Sequence, residues 1–94
     1  MKSPHELFGI ECGPGWASLY LPLIERCKAE GVAILQIKEK FGGLRFYVGA
    51  ASDDLFTAID EAEKRSITMC EECGEPGRLR GLGWIRTLCD IHAD

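Results

Sequence analysis

The segment CEECGEPGRLRGLGWIRTLCDIH, residues 70–92, constrains this chain more than any other. It places Cys70-x2-Cys73 and Cys89-x2-His92 on either side of 15 residues. Two ligands separated by two residues can grip one ion, because a tight turn brings both donor atoms to the same side. Gly74, directly after the first pair, gives the backbone the freedom that such a knuckle needs. Between the pairs the sequence predicts a short hairpin: Arg78 to Arg80, a glycine-rich turn at Gly81 to Gly83, then Trp84 to Leu88. The second pair is expected at the start of a short final helix. Knuckle, hairpin and ligands on a helical turn make a treble-clef-like element, with a zinc ribbon as the alternative. Cys70, Cys73, Cys89 and His92 are therefore the expected ligands of one structural zinc ion, with iron the other metal that this donor set suits. Four protein ligands close a tetrahedral shell and leave no position for a reactive water, so the ion is expected to hold the fold and not to catalyse.

Compartment and composition agree with a metal rather than disulfides. Five cysteines are an odd number, and the opening MKSPHELFGIECGPG has no apolar segment of the secretory kind. A cytoplasmic location with reduced thiols is expected. No run of 18 apolar residues predicts a membrane span. Ninety-four residues make one small domain, expected to divide into a 1–66 part and a 67–94 zinc element sharing one core, and chains this short often need a metal. Hydrophobic residues at 46% and charged ones at 28% are a globular balance. The net charge of −4 makes the chain as a whole a poor general binder of phosphates.

The first two-thirds predicts an α+β arrangement of helix, β-hairpin and helix. Gly13, Pro14 and Gly15 make a turn. Trp16, Leu19, Leu23, Ile24 and Cys27 then recur at helical spacing, and Gly31 ends a helix that begins near Ala17 or at Pro22. Val32 to Ile37 and Leu44 to Val48 are strands joined by a turn at Phe41, Gly42 and Gly43, with Leu44, Phe46 and Val48 on the buried face and Arg45 and Tyr47 on the wet one. A second helix follows, capped by Ser52 or Asp53, with Leu55, Phe56, Ile59, Ala62 and Ile67 on the core side and ion pairs expected for Asp60–Lys64 and Glu61–Arg65. Cys27 is expected in the core, and Cys12 in a loop or partly buried.

No catalytic constellation emerges, and the chain is expected not to be an enzyme. A treble clef also underlies HNH-type nucleases, which need a histidine base and further His or Asn ligands. Here His92 is committed to the zinc, the other histidine is His5 near the start, residues 76–88 contain no His, Asn or Asp, and the chain has no asparagine at all. The glycines of FGGLRF lack the helix and Lys-Ser/Thr of a phosphate loop. No small-molecule substrate is expected.

Residues 36–47, QIKEKFGGLRFY, together with residues 67–92 make the chain resemble a group of small phage- and prophage-encoded proteins. These pair a KEKFGGLRFY-type segment with a C-terminal CxxCGxPG…W…TLCDxH motif. ECGPGW near the start is similar to the group's opening. Members often carry a long insertion before the KEKFGG strand, which is nearly absent here. The resemblance implies a phage gene expressed in a bacterial cytoplasm and supplies no activity.

Two functional surfaces are candidates. Lys38, Lys40, Arg45 and Tyr47 on the hairpin, with Arg78, Arg80, Trp84 and Arg86 on the zinc element, interleave basic and aromatic side chains as nucleic-acid binders do. The bland reading of these positions is a solvated face, with Trp84 as cover over the zinc site. Alternatively, Asp53, Asp54, Asp60, Glu61 and Glu63 form an acidic helix face suited to a basic groove of a partner protein, or simply a hydrated one. The preferred reading is an interaction protein that binds a host protein, as in counter-defence (a CRISPR inhibitor, for example) or modulation of transcription. The alternative is a nucleic-acid-binding zinc finger.

Overall fold

The computed structural model describes residues 9–93; His5 and Asp94 lie outside them. In chain order the elements are β1 (Ile10–Glu11), a 3-10 turn (Pro14–Trp16), α1 (Ala17–Glu30), β2 (Ile34–Lys40), β3 (Gly43–Val48), α2 (Asp53–Ser66), β4 (Arg78–Arg80) and β5 (Arg86–Leu88). The expected helix, hairpin, helix and Cys/His element are all present. No helix of the described residues is long and apolar enough to cross a membrane.

Helix α1 starts at Ala17 and carries Pro22 inside it, where the ring removes one backbone donor. It ends at Gly31, whose φ of 67° is left-handed, and the N–H of Val32 reaches back to the Cys27 carbonyl at 2.8 Å, a glycine-terminated stop. Leu19, Tyr20, Leu23, Ile24 and Cys27 form its buried side.

The hairpin joins β2 and β3 in antiparallel register from Lys40↔Gly43 to Ile34↔Val48. Phe41 and Gly42 alone form its turn, with φ of 54° and 82°. Positive φ at both positions is the type I′ geometry that matches strand twist, and for a residue as bulky as phenylalanine it is unusual. Cross-strand pairing puts Ile37 and Phe46 in the core and Lys38, Arg45 and Tyr47 on the other face. A third strand, β1, pairs with β2 in parallel through Ile10↔Ile37 and Glu11↔Lys38. Its two residues carry no periodic signal, so the sequence does not disclose it.

Helix α2 is capped by the Ser52 side chain, which accepts from the Leu55 N–H at 3.2 Å. Asp53 and Asp54 sit in its first turn and Lys64 and Arg65 in its last, charges that suit the helix dipole. Leu55, Ile59, Ala62 and Ser66 form the buried stripe. Phe56 and Ile67, expected in the core, are exposed: Phe56 lies about 100° round the helix from Leu55, and Ile67 follows the last helical residue. Asp60 and Lys64 pair at 2.9 Å; Glu61 and Arg65 are not among the ion pairs of the described residues. Ser66 and Glu63 instead serve the sheet. Leu44 N–H donates to Ser66 Oγ at 2.8 Å and Phe46 N–H to Glu63 Oε2 at 2.9 Å. These two donors face away from β2, so α2 satisfies the edge of β3 that would otherwise invite another strand.

The main core runs from Trp16 through Cys27, Ile37, Leu44 and Phe46 to Ile59 and Ala62. Cys70, Leu88 and Cys89 form a separate small cluster. The expected single shared core is therefore two apolar clusters, and the joint between them is polar. Trp16 Nε1 donates to the Met69 carbonyl at 2.9 Å, and Thr87 Oγ1 donates to the Gly42 carbonyl at 2.6 Å. The second contact sets the turn of the β2–β3 hairpin against the β4–β5 ribbon.

Candidate metal centre

The ribbon of β4 and β5 pairs Arg78↔Leu88, Leu79↔Thr87 and Arg80↔Arg86. The four predicted ligands come from the two chain reversals at one end of it. At the first, Gly74 takes a φ of 83°, its N–H returns to the Cys70 carbonyl at 2.8 Å, and the Cys70 N–H bonds the Glu75 carbonyl at 2.7 Å. At the second, the His92 N–H returns to the Cys89 carbonyl at 3.2 Å. Residues 89–93 form this turn and not the expected start of a helix.

The three Sγ atoms and the imidazole nitrogen lie within 4.8 Å of one another. Cys73 Sγ and Cys89 Sγ are 3.7 Å apart, Cys70 Sγ and His92 Nδ1 3.7 Å, and Cys89 Sγ and His92 Nδ1 3.2 Å. An ion with metal–sulfur bonds of about 2.3 Å and metal–nitrogen bonds of about 2.0–2.1 Å holds tetrahedral ligands about 3.8 Å (S···S) and 3.6 Å (S···N) apart. The first two edges match that tetrahedron and the Cys89–His92 edge is about 0.4 Å shorter. They are far longer than a disulfide bond of about 2.05 Å, and all five cysteines are free thiols. The group can hold a metal ion.

The surroundings favour ionisation, which binding requires, at two of the three sulfurs. Burial raises the Cys70 thiol, but backbone N–H groups of Cys89, Cys73 and Glu72 outweigh it and hold the thiol below its ordinary value. Burial likewise raises Cys89, and the His92 and Ile91 N–H groups with the neighbouring thiols bring it down. At Cys73 the Glu75 N–H lowers the thiol, but burial and the adjacent sulfurs push it up.

What attaches this centre to the rest of the protein is not visible as a motif. The Gly13-Pro14-Gly15 turn lies backbone to backbone on the first knuckle. The Gly15 N–H donates to the Glu71 carbonyl at 2.7 Å, and the Gly13 N–H to Glu71 Oε2 at 2.9 Å. A Cβ at Gly15 would stand 2.2 Å from the Cys70 carbonyl oxygen, and one at Gly74 2.9 Å from the Gly15 oxygen. Glu71 is buried. Its Oε1 makes no hydrogen bond, but Arg86 Nη2 lies 3.5 Å away, a charge contact without hydrogen-bond alignment. The one available signal was a pair of glycines around a proline beside a tryptophan, which the sequence alone reads as an ordinary turn. Cys12 leads into this turn and is half-buried. Burial, with the Glu71 and Glu39 carboxylates, pushes its thiol up to about 12, and it is not part of the four-ligand group.

The other eight predicted binding residues fall into two sets, one on the ribbon and its loop and one on the sheet, and Arg78 is exposed on β4. Arg80 Nη2 bonds Asp90 at 2.6 Å and its Nε the Leu88 carbonyl at 2.9 Å. Arg86 bonds Glu72 at 2.6 Å and lies over the Trp84 ring, 5.9 Å from its centroid. Trp84 is 76% exposed, so it does not cover the metal centre. The neighbouring Leu82 is fully exposed, and no sequence pattern marks it. Lys38, Lys40, Arg45 and Tyr47 occupy the sheet. On the acidic helix, Asp53, Asp54, Asp60 and Glu61 are exposed, while Glu63 is used on β3.

No family model matches the chain, and no curated protein or solved structure is significantly similar to it.

Proposed function

We propose that the protein is a non-enzymatic interaction module, in which one structural zinc ion held by Cys70, Cys73, Cys89 and His92 stiffens a ribbon that meets a protein of the bacterial host. Zinc suits three thiolates and an imidazole in a tetrahedron, and a four-ligand shell leaves it no open position. With ligands on two turns at one end of a two-stranded ribbon, the zinc-ribbon alternative is favoured over a treble clef.

The observation that carries the partner class is the exposed pair Leu82 and Trp84. They stand on the short loop of a ribbon whose other end carries the ligand group, and tryptophan is among the residues enriched as interface anchors. The nearby Arg80 and Arg86 are already paired with carboxylates, which weakens a phosphate-binding role for the ribbon. The bacterial-host setting rests on the resemblance to phage-encoded proteins.

The test is affinity capture from nuclease-treated bacterial lysate with the full chain and with Leu82→Ser/Trp84→Ser, both metal-loaded. One host protein should be retained by the first and lost by the second. Retention seen only in untreated lysate and absent after nuclease, or retention that ignores the double substitution, refutes the reading.

A further inference from the structure

The outer face of the sheet carries positive charge that no carboxylate of the described residues pairs, although Arg45, half-buried like Lys38, donates from Nη1 to the Leu44 carbonyl at 3.1 Å. The register places Gln36 opposite Tyr47 and Lys38 opposite Arg45, so all four side chains share one face with Lys40, two residues further along β2. Like charges directly opposite on a sheet are unfavourable, yet Lys38 faces Arg45. Among the described residues none of Lys38, Lys40 and Arg45 forms an ion pair within 4.0 Å. Glu11 is the carboxylate on this face, in register with Lys38, and it accepts a hydrogen bond from Gln36 Nε2 at 3.2 Å. Among the described residues three cations thus gather against one acid, on a chain whose net charge is −4. Aromatic rings accompany them. Tyr47 is exposed on the face itself, and Phe41 is exposed at its turn end with the Lys40 Nζ 5.7 Å from its ring centroid. Phe41 holds a φ of 54°, a conformation that asparagine or glycine adopts at less cost. Such outliers collect where a side chain has work to do.

We infer that this face, formed by Gln36, Lys38, Lys40, Arg45 and Tyr47 with Phe41 at its turn end, binds single-stranded nucleic acid. The cations lie along and across the strands at spacings of roughly 5–7 Å, which suits a linear polyanion more than a single bound ion. The rings supply surfaces on which unpaired bases stack, and a duplex keeps its bases from such surfaces. The ligand also relieves the Lys38–Arg45 repulsion. The face is distinct from the Leu82–Trp84 loop proposed above and does not depend on it.

The test is fluorescence anisotropy of a labelled 12-mer of deoxythymidine with the full metal-loaded chain at low salt, followed by a salt titration. About three phosphate contacts give a slope of log K against log salt near −2. Lys38→Gln/Lys40→Gln should reduce that slope by about 1.4. Tyr47→Ala should weaken binding on the order of tenfold while Tyr47→Phe leaves it unchanged. Leu82→Ser/Trp84→Ser should bind the oligonucleotide normally, which separates this inference from the protein-partner reading. Circular dichroism and metal content check that each variant folds. Absence of oligonucleotide binding at low salt, equal binding of a duplex, equal binding of polyglutamate (an acidic protein partner), or a slope unchanged in the lysine variant would each overturn it.

Discussion

Replacing Gly15 by alanine probes the contact that joins the metal centre to the core. The added Cβ falls 2.2 Å from the Cys70 carbonyl oxygen, 2.6 Å from the Glu71 oxygen and 2.6 Å from the Gly74 nitrogen. All three are backbone atoms of the knuckle, so no side chain can rotate away, and the two segments must part until each distance exceeds 3.0 Å. That movement costs about 1–3 kcal/mol as overpacking. It also pulls on the 2.7 Å Gly15–Glu71 hydrogen bond, worth about 0.5–1.5 kcal/mol. The total, about 2–4 kcal/mol, is a large part of the ~5–15 kcal/mol that stabilises a typical domain. It corresponds to a fall in melting temperature of about 10–25 °C for a chain of this length. Thermal unfolding followed by near-UV circular dichroism measures it, with metal release read by a chromogenic chelator in the same scan. Gly83→Ala is the control, because a Cβ there meets nothing within 4 Å. A Gly15→Ala protein that melts within about 2 °C of its parent, and no lower than Gly83→Ala, refutes the close docking of these segments.

Three further outcomes follow from named contacts. A strong chelator should remove one equivalent of metal and red-shift the emission of Trp16, which is buried and bonded to Met69, whereas Trp84 is already in water; identical spectra and melting curves with and without chelator would contradict a structural ion. Ser66→Ala leaves the Leu44 N–H without its acceptor at a buried position and should cost about 1–3 kcal/mol in urea unfolding, against a much smaller loss for Lys64→Ala, whose ion pair is exposed and screened by water; equal losses would show that α2 does not guard the β3 edge. The Cys12 thiol, raised from 9.0 to about 12 in the folded state, keeps its proton where the unfolded chain loses it. Its stabilising contribution is therefore complete below pH 9 and declines from pH 9 towards 12. Stability measured from pH 8.5 to 11 should fall more steeply in the parent than in Cys12→Ala, and parallel curves would be the contrary result.

The sequence indicates the elements well because each has a local cause. The α1 stop at Gly31, the Ser52 cap and the alternation of Leu44 and Phe46 with Arg45 and Tyr47 are properties of a few neighbouring residues. The ligand group is also local, two pairs at fixed spacing. Side chains whose environment is set by distant segments were misread. Phe56 and Ile67 look like core residues by composition but lie outside the stripe that α2 buries. Trp84 looks like a lid but stands in water, because its loop joins β4 to β5 at the end of the ribbon opposite the ligands. Strand β1, at two residues, pairs with β2 and has no pattern of its own.

Cys70, Cys73, Cys89 and His92 were fixed by spacing, since a turn of two intervening residues brings donor atoms together wherever it occurs. Only the tertiary structure decided what that centre is fastened to. Gly13 and Gly15 approach the knuckle through backbone atoms 58 and 56 residues from Glu71 in sequence, and a hydrogen bond across such a separation leaves no periodicity to read. The same holds for charge. Arg80 and Arg86 are as basic in sequence as Lys38 and Arg45, but folding brings carboxylates to the first pair and leaves the second pair facing each other.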